Sequence, residues 1–387
     1  MRTRSMIRQT AFHFQIFVAM ALCLCCLAAC VAVDKVELNK DPEGVAVLKE
    51  GWADRLQYEG VVIEDDEYHI WGSSPIWGED GKVHIYAARM PVSEGFKYWY
   101  ATSEIAHYVA DKPEGPFEFV EVTLKPGESE PGSWDTGAQH NPTITKIDDL
   151  FVLTYHSNQS TKKSRSSNTH KIGMMTSKSV NGPWKKVGMI LEPPTDEAIW
   201  CYSVKGIDNP ALIKHLNGKY YLYYRAKFKG LKGKGDNTYG VAIADKLEGP
   251  YIHHPDRVIN NPRYVEDPYV FEHNKVFYML VTDNYRRRGL LLTSKDGLHF
   301  EFDEAVHGFG RMADHISPDL VNSSPNYRAK KFERPQLLLK DGIPTHMYAP
   351  GGANINGGKG TCCYLLKILP VGSKTNDTTS KGQANEN

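Results

Sequence analysis

Glu266 and Glu333 each stand two residues ahead of a proline, and Asp208 does the same in a third segment. Immediately before those prolines come Asp267, Arg334 and Asn209, and a further segment places His140 and Asn141 ahead of Pro142. Asp and Asn before proline commonly start turns. Glutamate is a poor turn former, so Glu266 and Glu333 need another explanation. The carboxylates Asp208, Glu266, Asp267 and Glu333, brought to one place, would suit acid–base cleavage of a glycosidic bond. In the inverting form of that reaction one carboxylic acid protonates the leaving oxygen, and a carboxylate roughly 6.5–9.5 Å away activates water. His69 and His140 could move protons as well, since imidazole titrates near neutrality; a structural place beside aromatic strands is the alternative for each.

These residues share a site only if the chain brings five distant segments together. Pro75, Pro142, Pro210, Pro268 and Pro335 recur at intervals of 67, 68, 58 and 67 residues. Each is followed by a short apolar run, a turn and a second strand-like run: DGKVHIYAAR, DDLFVLTYHS, NGKYYLYYRA, HNKVFYMLVT and DGIPTHMYAP. Alternating apolar residues bounded by Asp, Asn and Gly are the signature of a half-buried hairpin. Between the hairpins Gly115-Pro116-Phe117, Gly182-Pro183-Trp184 and Gly249-Pro250-Tyr251 recur every 67 residues, with a degraded fourth copy, DGLHF, ending at Phe300.

Four strands per repeat in five repeats predict an all-β, five-bladed β-propeller with four-stranded antiparallel blades. The last repeat supplies only three strands, ending with TCCYLLKIL at Leu369, so one of the early runs GVAVLKE or GVVIED is expected to close the ring as its fourth strand. In such a ring the residues before each proline and the loops after each second strand share one face. On that face the first repeat offers Ser73 and Ser74 ahead of Pro75.

The loops after the second strands are basic. Lys162, Lys163, Arg165 and Lys171 fall in the second repeat, Arg225, Lys227, Lys229, Lys232 and Lys234 in the third, and Arg286, Arg287 and Arg288 in the fourth, against Asp236 and Asp283 alone. Clustered Arg and Lys attract carboxylate or sulfate, so the expected ligand is a uronic or sulfated glycan. Nucleic acid would also be drawn to such charge, but an acidic funnel in an exported chain fits it poorly. Trp71, Trp77, Trp99, Trp134 and Trp200 lie in or near these loops, as sugar platforms or as core. The substrate-binding candidates are Trp71, Ser73, His140, Asn141, Asn209, Arg225, Arg287 and Arg334.

Through HNPTITKIDDLFVLTY, DNPALIKHLNGKYYLYY and EDPYVFEHNKVFYML, the chain from about 60 to 370 resembles the five-bladed β-propeller glycoside hydrolases of families 43 and 117. The resemblance implies an aspartate base on the first blade, a second aspartate on the third that tunes pKa, and a glutamate acid on the fourth. Glu266 then matches the acid, and Asp208 or Asn209 the tuning residue. WGSSPIW departs from the pattern, because Ser73 and Ser74 stand where the base is implied. Glu333 and Asp267 are the first candidates to take over water activation, with Asp54, Asp135 and Asp319 behind them. A carbohydrate-binding propeller without catalysis, or a phosphorylase like the five-bladed mannoside phosphorylases, are the alternatives.

Of 387 residues, 46 are Lys or Arg and 46 Asp or Glu, giving zero formal net charge. Arg2, Arg4 and Arg8 precede an apolar run from Phe12 to Ala29, which reads as a secretory signal over residues 1–30. The run ends LAAC at Cys30, resembling a bacterial lipoprotein processing site, with ordinary cleavage near Ala32 as the alternative. The expected organisation is therefore the signal, a segment 31–59 containing the closing strand, a propeller at 60–370 and a polar, disordered tail at 371–387. Export to the periplasm, cell surface or medium follows, with membrane attachment only through a lipid at Cys30. Cys201, Cys362 and Cys363 survive such a cut, too few and too poorly spaced for a disulfide scaffold or a metal–thiolate site. No cofactor is expected, although His140 and Asp208 leave room for a channel metal such as calcium.

Overall fold

The computed structural model describes residues 48–164, 169–202, 204, 206–228, 236–259, 265–316, 331–352 and 360–373, with only the backbone of 227, 228, 236 and 237. The signal with Cys30, the tail from 374 onward, Asp319, Arg165, Lys229, Lys232 and Lys234 lie outside the described residues, as do the side chains of Lys227 and Asp236.

Twenty strands form five antiparallel sheets of four. The first blade comprises β2 (Tyr68–Trp77), β3 (Val83–Pro91), β4 (Glu104–Ala110) and β5 (Glu118–Leu124). The second comprises β6 (Gln139–Ile147), β7 (Leu150–Ser157), β8 (Lys171–Ser177) and β9 (Lys185–Leu191), and the third β10 (Ile207–Lys214), β11 (Tyr220–Phe228), β12 (Asp236–Ala244) and β13 (Ile252–His253). The fourth has β14 (Val265–His273), β15 (Val276–Asp283), β16 (Arg288–Ser294) and β17 (Val306–Phe309). The fifth has β18 (Gln336–Lys340), β19 (Ile343–Gly351) and β20 (Cys362–Ile368), completed at its outer edge by β1 (Leu56–Ile63) paired antiparallel to β20. The closing strand carries the GVVI run and crosses the boundary expected between residues 59 and 60. The fourth blade's last strand begins six residues after Phe300, which makes only an isolated bridge to Ile259.

Period-two alternation gives each sheet two apolar faces. On β11, Tyr221 and Tyr223 pack toward the fourth blade with Val270, Phe277 and Met279, while Leu222 and Tyr224 pack toward the second with Val152 and Ile172. Every neighbouring pair of blades has such a cluster, and the ring closes where Leu338, Tyr348, Cys363 and Leu365 of the fifth blade meet Ile70, Val83 and Ile85 of the first. Each fully buried side chain of this kind contributes about 1.5–3 kcal/mol. The first strands β2, β6, β10, β14 and β18 therefore stand innermost, in contact with their counterparts.

At the top of these strands the pairing is bulged in the same way. His140 faces His156 while Thr143 faces Thr154; Asp208 faces Arg225 while Ala211 faces Tyr223; Glu266 faces Thr282 while Tyr269 faces Leu280. In the fifth blade the Glu333 N–H donates to the Pro350 carbonyl at 3.0 Å, and Gln336 faces Tyr348. In the first blade Trp71 faces Ala88 and Ser74 faces Tyr86. The register corrects the alignment of the first repeat, because Ser73, not Pro75, is the counterpart of the other four prolines. Trp71 and Gly72, rather than Ser73 and Ser74, hold the two positions that face the funnel.

Candidate active site

The bulge sets the backbone of one residue per blade in the left-handed region: Gly72 (φ 58°), Asn141 (48°), Asn209 (52°), Asp267 (63°) and Arg334 (41°). Non-glycine residues there are held against a cost of order 1–3 kcal/mol, and such strain collects at functional sites. Their side chains are linked across blades. Asn141 Nδ2 donates to Asn209 Oδ1 at 2.7 Å, Asn209 Nδ2 to Asp267 Oδ1 at 2.7 Å, and the Arg334 N–H to Asp267 Oδ2 at 3.2 Å. Arg334, fully buried, then reaches across the axis, where Nη2 donates to the Asn141 carbonyl at 2.8 Å and to Thr143 Oγ1 at 2.9 Å.

Above this circle a cavity of about 420 Å³ opens on the face that carries the second-strand loops. Trp71, Phe96 and Trp99 of the first blade form one wall; His140, Asn141, His156, Asn209 and Arg225 continue it. Glu266, Asp267, Asn284 and Arg287 of the fourth blade and Lys331 and Glu333 of the fifth form the opposite side. The structure thus brings Glu266, Asp267 and Glu333 to one cavity.

Of the other expected site residues, Trp71, His140, Asn141, Asn209, Arg225 and Arg287 line the same cavity, whereas Asp208, Ser73 and Arg334 do not. Asp208 is buried beneath the cavity, gripped by Arg225, whose Nε and Nη2 reach its two oxygens at 2.6 Å each, and approached by His170 Nδ1 at 3.4 Å. The guanidinium holds the Asp208 carboxyl well below the usual carboxylate range despite burial. Arg225 Nη1 also binds Glu266 Oε1, so this arginine, itself part of the cavity lining, organises two carboxylates. Ser73 is fully buried and does not line the cavity, and Ser74 is a staple, taking the Ile144 N–H at 3.1 Å and donating to Gln336 Oε1 at 3.1 Å. Arg334 does not line the cavity either. Trp77, Trp134 and Trp200 are absent from the lining, so Trp71 and Trp99 are the tryptophans that face it.

Burial and the adjacent Glu266 raise the Asp267 pKa to about 7, with Glu333 adding in the same direction. Glu333 accepts from Lys331 Nζ at 2.8 Å, and the same ammonium donates to Asn284 Oδ1 at 2.7 Å. Of the basic loops, Lys162 pairs with Glu94 and Lys171 with Glu192 at 2.8 Å. Two of the loop cations reach the cavity: Arg225, which is engaged by Asp208 and Glu266, and Arg287, with no partner among the described residues. No group of three His, Cys, Asp or Glu among the described residues is arranged to hold a metal ion.

His156, Phe96, Asn284 and Lys331 are cavity residues that the sequence reading passed over. His156 was within reach of it: antiparallel pairing sets the second strand's residue opposite each funnel position, and at His140 that residue is His156. Phe96 comes from the FKYWY segment between β3 and β4, which folds into short helical turns and carries no strand period to read.

Residues 119–281 match the family model for glycosyl hydrolases family 43, a span that holds Asp208, Glu266 and Asp267 and ends before Glu333. Fold, funnel and matched segment together support a glycosidase built on a five-bladed β-propeller, the match covering under half of the chain. Among solved structures the chain is similar to Zg3597, a family 117 glycoside hydrolase of the marine bacterium Zobellia galactanivorans, at 18% identity and TM-score 0.59 over 83% of this chain and 93% of that one. It is similar also to an exo-1,5-alpha-L-arabinanase from a bovine ruminal metagenomic library, at 16% identity and TM-score 0.51 over 79% and 95%. BT0996, solved as an RGII complex, matches at 12% identity and TM-score 0.59 over 86% and 96%. At these identities the likeness is one of fold. No curated protein matches the sequence.

Proposed function

We propose that the protein is an exported, inverting glycoside hydrolase acting on an anionic oligosaccharide, with Asp267 as proton donor and Glu333 as the base that activates water. The observation that carries this reading is the meeting of Glu266, Asp267 and Glu333 in one cavity opposite an aromatic wall. The first blade supplies no carboxylate to the funnel, since Trp71 and Gly72 occupy its two positions. Glu333, flanked by Lys331, is the cavity carboxylate left for the base once the adjacent pair on the fourth blade is taken for acid chemistry. Resemblance assigns the acid to Glu266; the raised pKa of its neighbour supports Asp267, because a proton donor must still hold its proton at the working pH.

In the reaction, Glu333 takes a proton from water as the water oxygen bonds the anomeric carbon. The glycosidic C–O bond breaks, and the leaving oxygen takes the Asp267 proton. Arg287 and Lys331, on the charged side of the cavity, favour a carboxylate or sulfate on the substrate. Export rests on the charged and apolar pattern of residues 1–30.

Product analysis on algal and plant polysaccharide fragments, neutral and charged, with and without inorganic phosphate, tests this reading beside Glu266→Gln, Asp267→Asn and Glu333→Gln. Cleavage only with phosphate would make the protein a phosphorylase, and binding without cleavage of any fragment would make it a lectin-like propeller.

A further inference from the structure

We propose that His140 and His156 form a subsite for one sugar hydroxyl, with His140 accepting its proton and His156 donating to its oxygen. The proposal rests on the reading that the cavity takes a carbohydrate, and it adds a group that the acid–base chemistry does not use.

The hydrogen bonds around each ring fix its tautomer. Ser103 Oγ donates its single proton to the Gln139 carbonyl at 2.9 Å, so it meets His140 Nδ1, 2.7 Å away, as an acceptor. His140 therefore carries its hydrogen on Nδ1. Burial, with Arg334 nearby, holds its pKa well below the ordinary imidazole value, so the ring is neutral and Nε2 presents a lone pair. His156 is arranged in the opposite sense. Its Nδ1 accepts the Asn209 N–H at 3.4 Å, so its hydrogen lies on Nε2. Burial keeps this ring neutral too.

His156 lines the cavity, is 1% exposed, and its Nε2 finds no partner among the described residues. A buried N–H left unpaired is costly, and a ligand that pairs it recovers that loss. The two ring centroids are 5.4 Å apart at 67°, and both residues line the cavity, so the rings border one part of it. Both rings are packed among other rings. Trp99 lies 4.6 Å from His140 and 6.1 Å from His156, and His170 backs His156 at 4.8 Å while its own Nδ1 points to Asp208.

One lone pair beside one N–H selects the chemistry. A carboxylate or sulfate oxygen would face the His140 lone pair with another, and an ammonium would face the His156 hydrogen. A hydroxyl satisfies both, so the subsite reads a neutral hydroxyl even where the sugar carries its charge elsewhere.

Two measurements test this. Long-range proton–nitrogen correlation spectra of ¹⁵N-labelled protein at neutral pH should show His140 as the neutral Nδ1–H form and His156 as the neutral Nε2–H form. The reverse assignment, or a charged ring at either position, overturns the proposal whether or not the protein is a hydrolase. The second is calorimetric binding of the charged and neutral fragments and of their singly deoxygenated analogues. One deoxy position should weaken binding to the wild type by about 10²-fold or more, as expected where a buried polar site loses the hydroxyl it was built for. On His156→Phe the same analogue should bind no worse than its parent, and His156→Gln, which keeps a donor near the Nε2 position, should restore part of the discrimination. If each deoxygenation costs the same on wild type and His156→Phe, or if the wild type binds no glycan, the subsite does not exist.

Discussion

Arg334 of the fifth blade lies against the backbone of Gly72 on the first, so that a Cβ added to Gly72 would stand 3.1 Å from its Cδ and 3.2 Å from its Nε. The same guanidinium spans the axis to the Asn141 and Pro142 carbonyls at 2.8 and 3.2 Å. A first-blade carboxylate and this arginine would compete for one space. The absence of a side chain at residue 72 and the presence of a buried cation at residue 334 therefore belong together.

Substituting Gly72 should be costly. A side chain at φ 58° loses roughly 1–2 kcal/mol from backbone conformation, before Arg334 and Asn141 have moved aside. Gly72→Ala and Gly72→Asp are both expected to lower the urea midpoint by at least that amount, and Gly72→Asp should bring no gain in turnover. An aspartate variant that is more active than wild type at unchanged stability would show that the first blade still holds a usable base position.

With Asp267 as the proposed proton donor, the alkaline side of the activity profile should follow its titration. As proton donor it works only while protonated, so kcat/KM should fall as pH rises through about 7. Linkage gives the sign for stability. The folded state keeps the proton between the ordinary carboxyl range near 4 and about 7, where the unfolded chain has lost it, so this residue makes stability fall with rising pH across that window. Asp267→Asn should abolish the alkaline limb and should spare substrates with good leaving groups more than those with poor ones. A wild-type profile flat to pH 9 would remove Asp267 from the acid role.

Arg287 should separate charged from neutral substrates. It lines the cavity with no partner among the described residues, so its removal strands no buried group. Arg287→Ala is expected to raise KM for a uronic or sulfated fragment by about 10-fold or more, in line with the ~1.5–3 kcal/mol of a hydrogen bond to a charged group, and to leave kcat and the folding midpoint near wild type. Equal effects on a neutral fragment of the same length would end the anionic reading.

The ring could be read from prolines at near-even spacing because blade formation needs only period-two alternation and repeated turns, both local properties. The same prolines misplaced the first blade. Ser73 fills the proline position there, and the bulge that sets the register is fixed by pairing with Ala88 and Tyr86, to which Pro75 gives no clue. Glu266, Asp267 and Glu333 were legible since strand order alone carries them to one rim. The charge of Arg225 by itself suggests a ligand contact, and its commitment to Asp208 appears only when facing strands are paired. Lys331 and His156 carry no local signal, because their roles depend on Asn284 of the fourth blade and on the strand that pairs His140 with His156. The twelve loop cations likewise looked more concentrated than they are, because Glu94 and Glu192, partners of Lys162 and Lys171, come from outside those loops.

The Arg225–Asp208 pair should make the fold acid-sensitive in a way one substitution reveals. Asp208 is 8% exposed and its carboxyl is held well below the ordinary range by the guanidinium, so its contribution is full above about pH 4 and is lost as pH falls through the depressed value. Arg225→Met strands two carboxylates, Asp208 and Glu266, and should destabilise by about 3–5 kcal/mol at pH 7, the usual cost of breaking a buried pair from one side. In that variant the stranded Asp208 gains by taking a proton, so the gap to wild type should narrow as pH drops from 7 toward 4. Denaturant melts of both proteins across that range measure it. A gap that stays constant with pH would mean that Arg225 stabilises the third blade by packing alone, and that the charge on Asp208 is held by other groups such as His170.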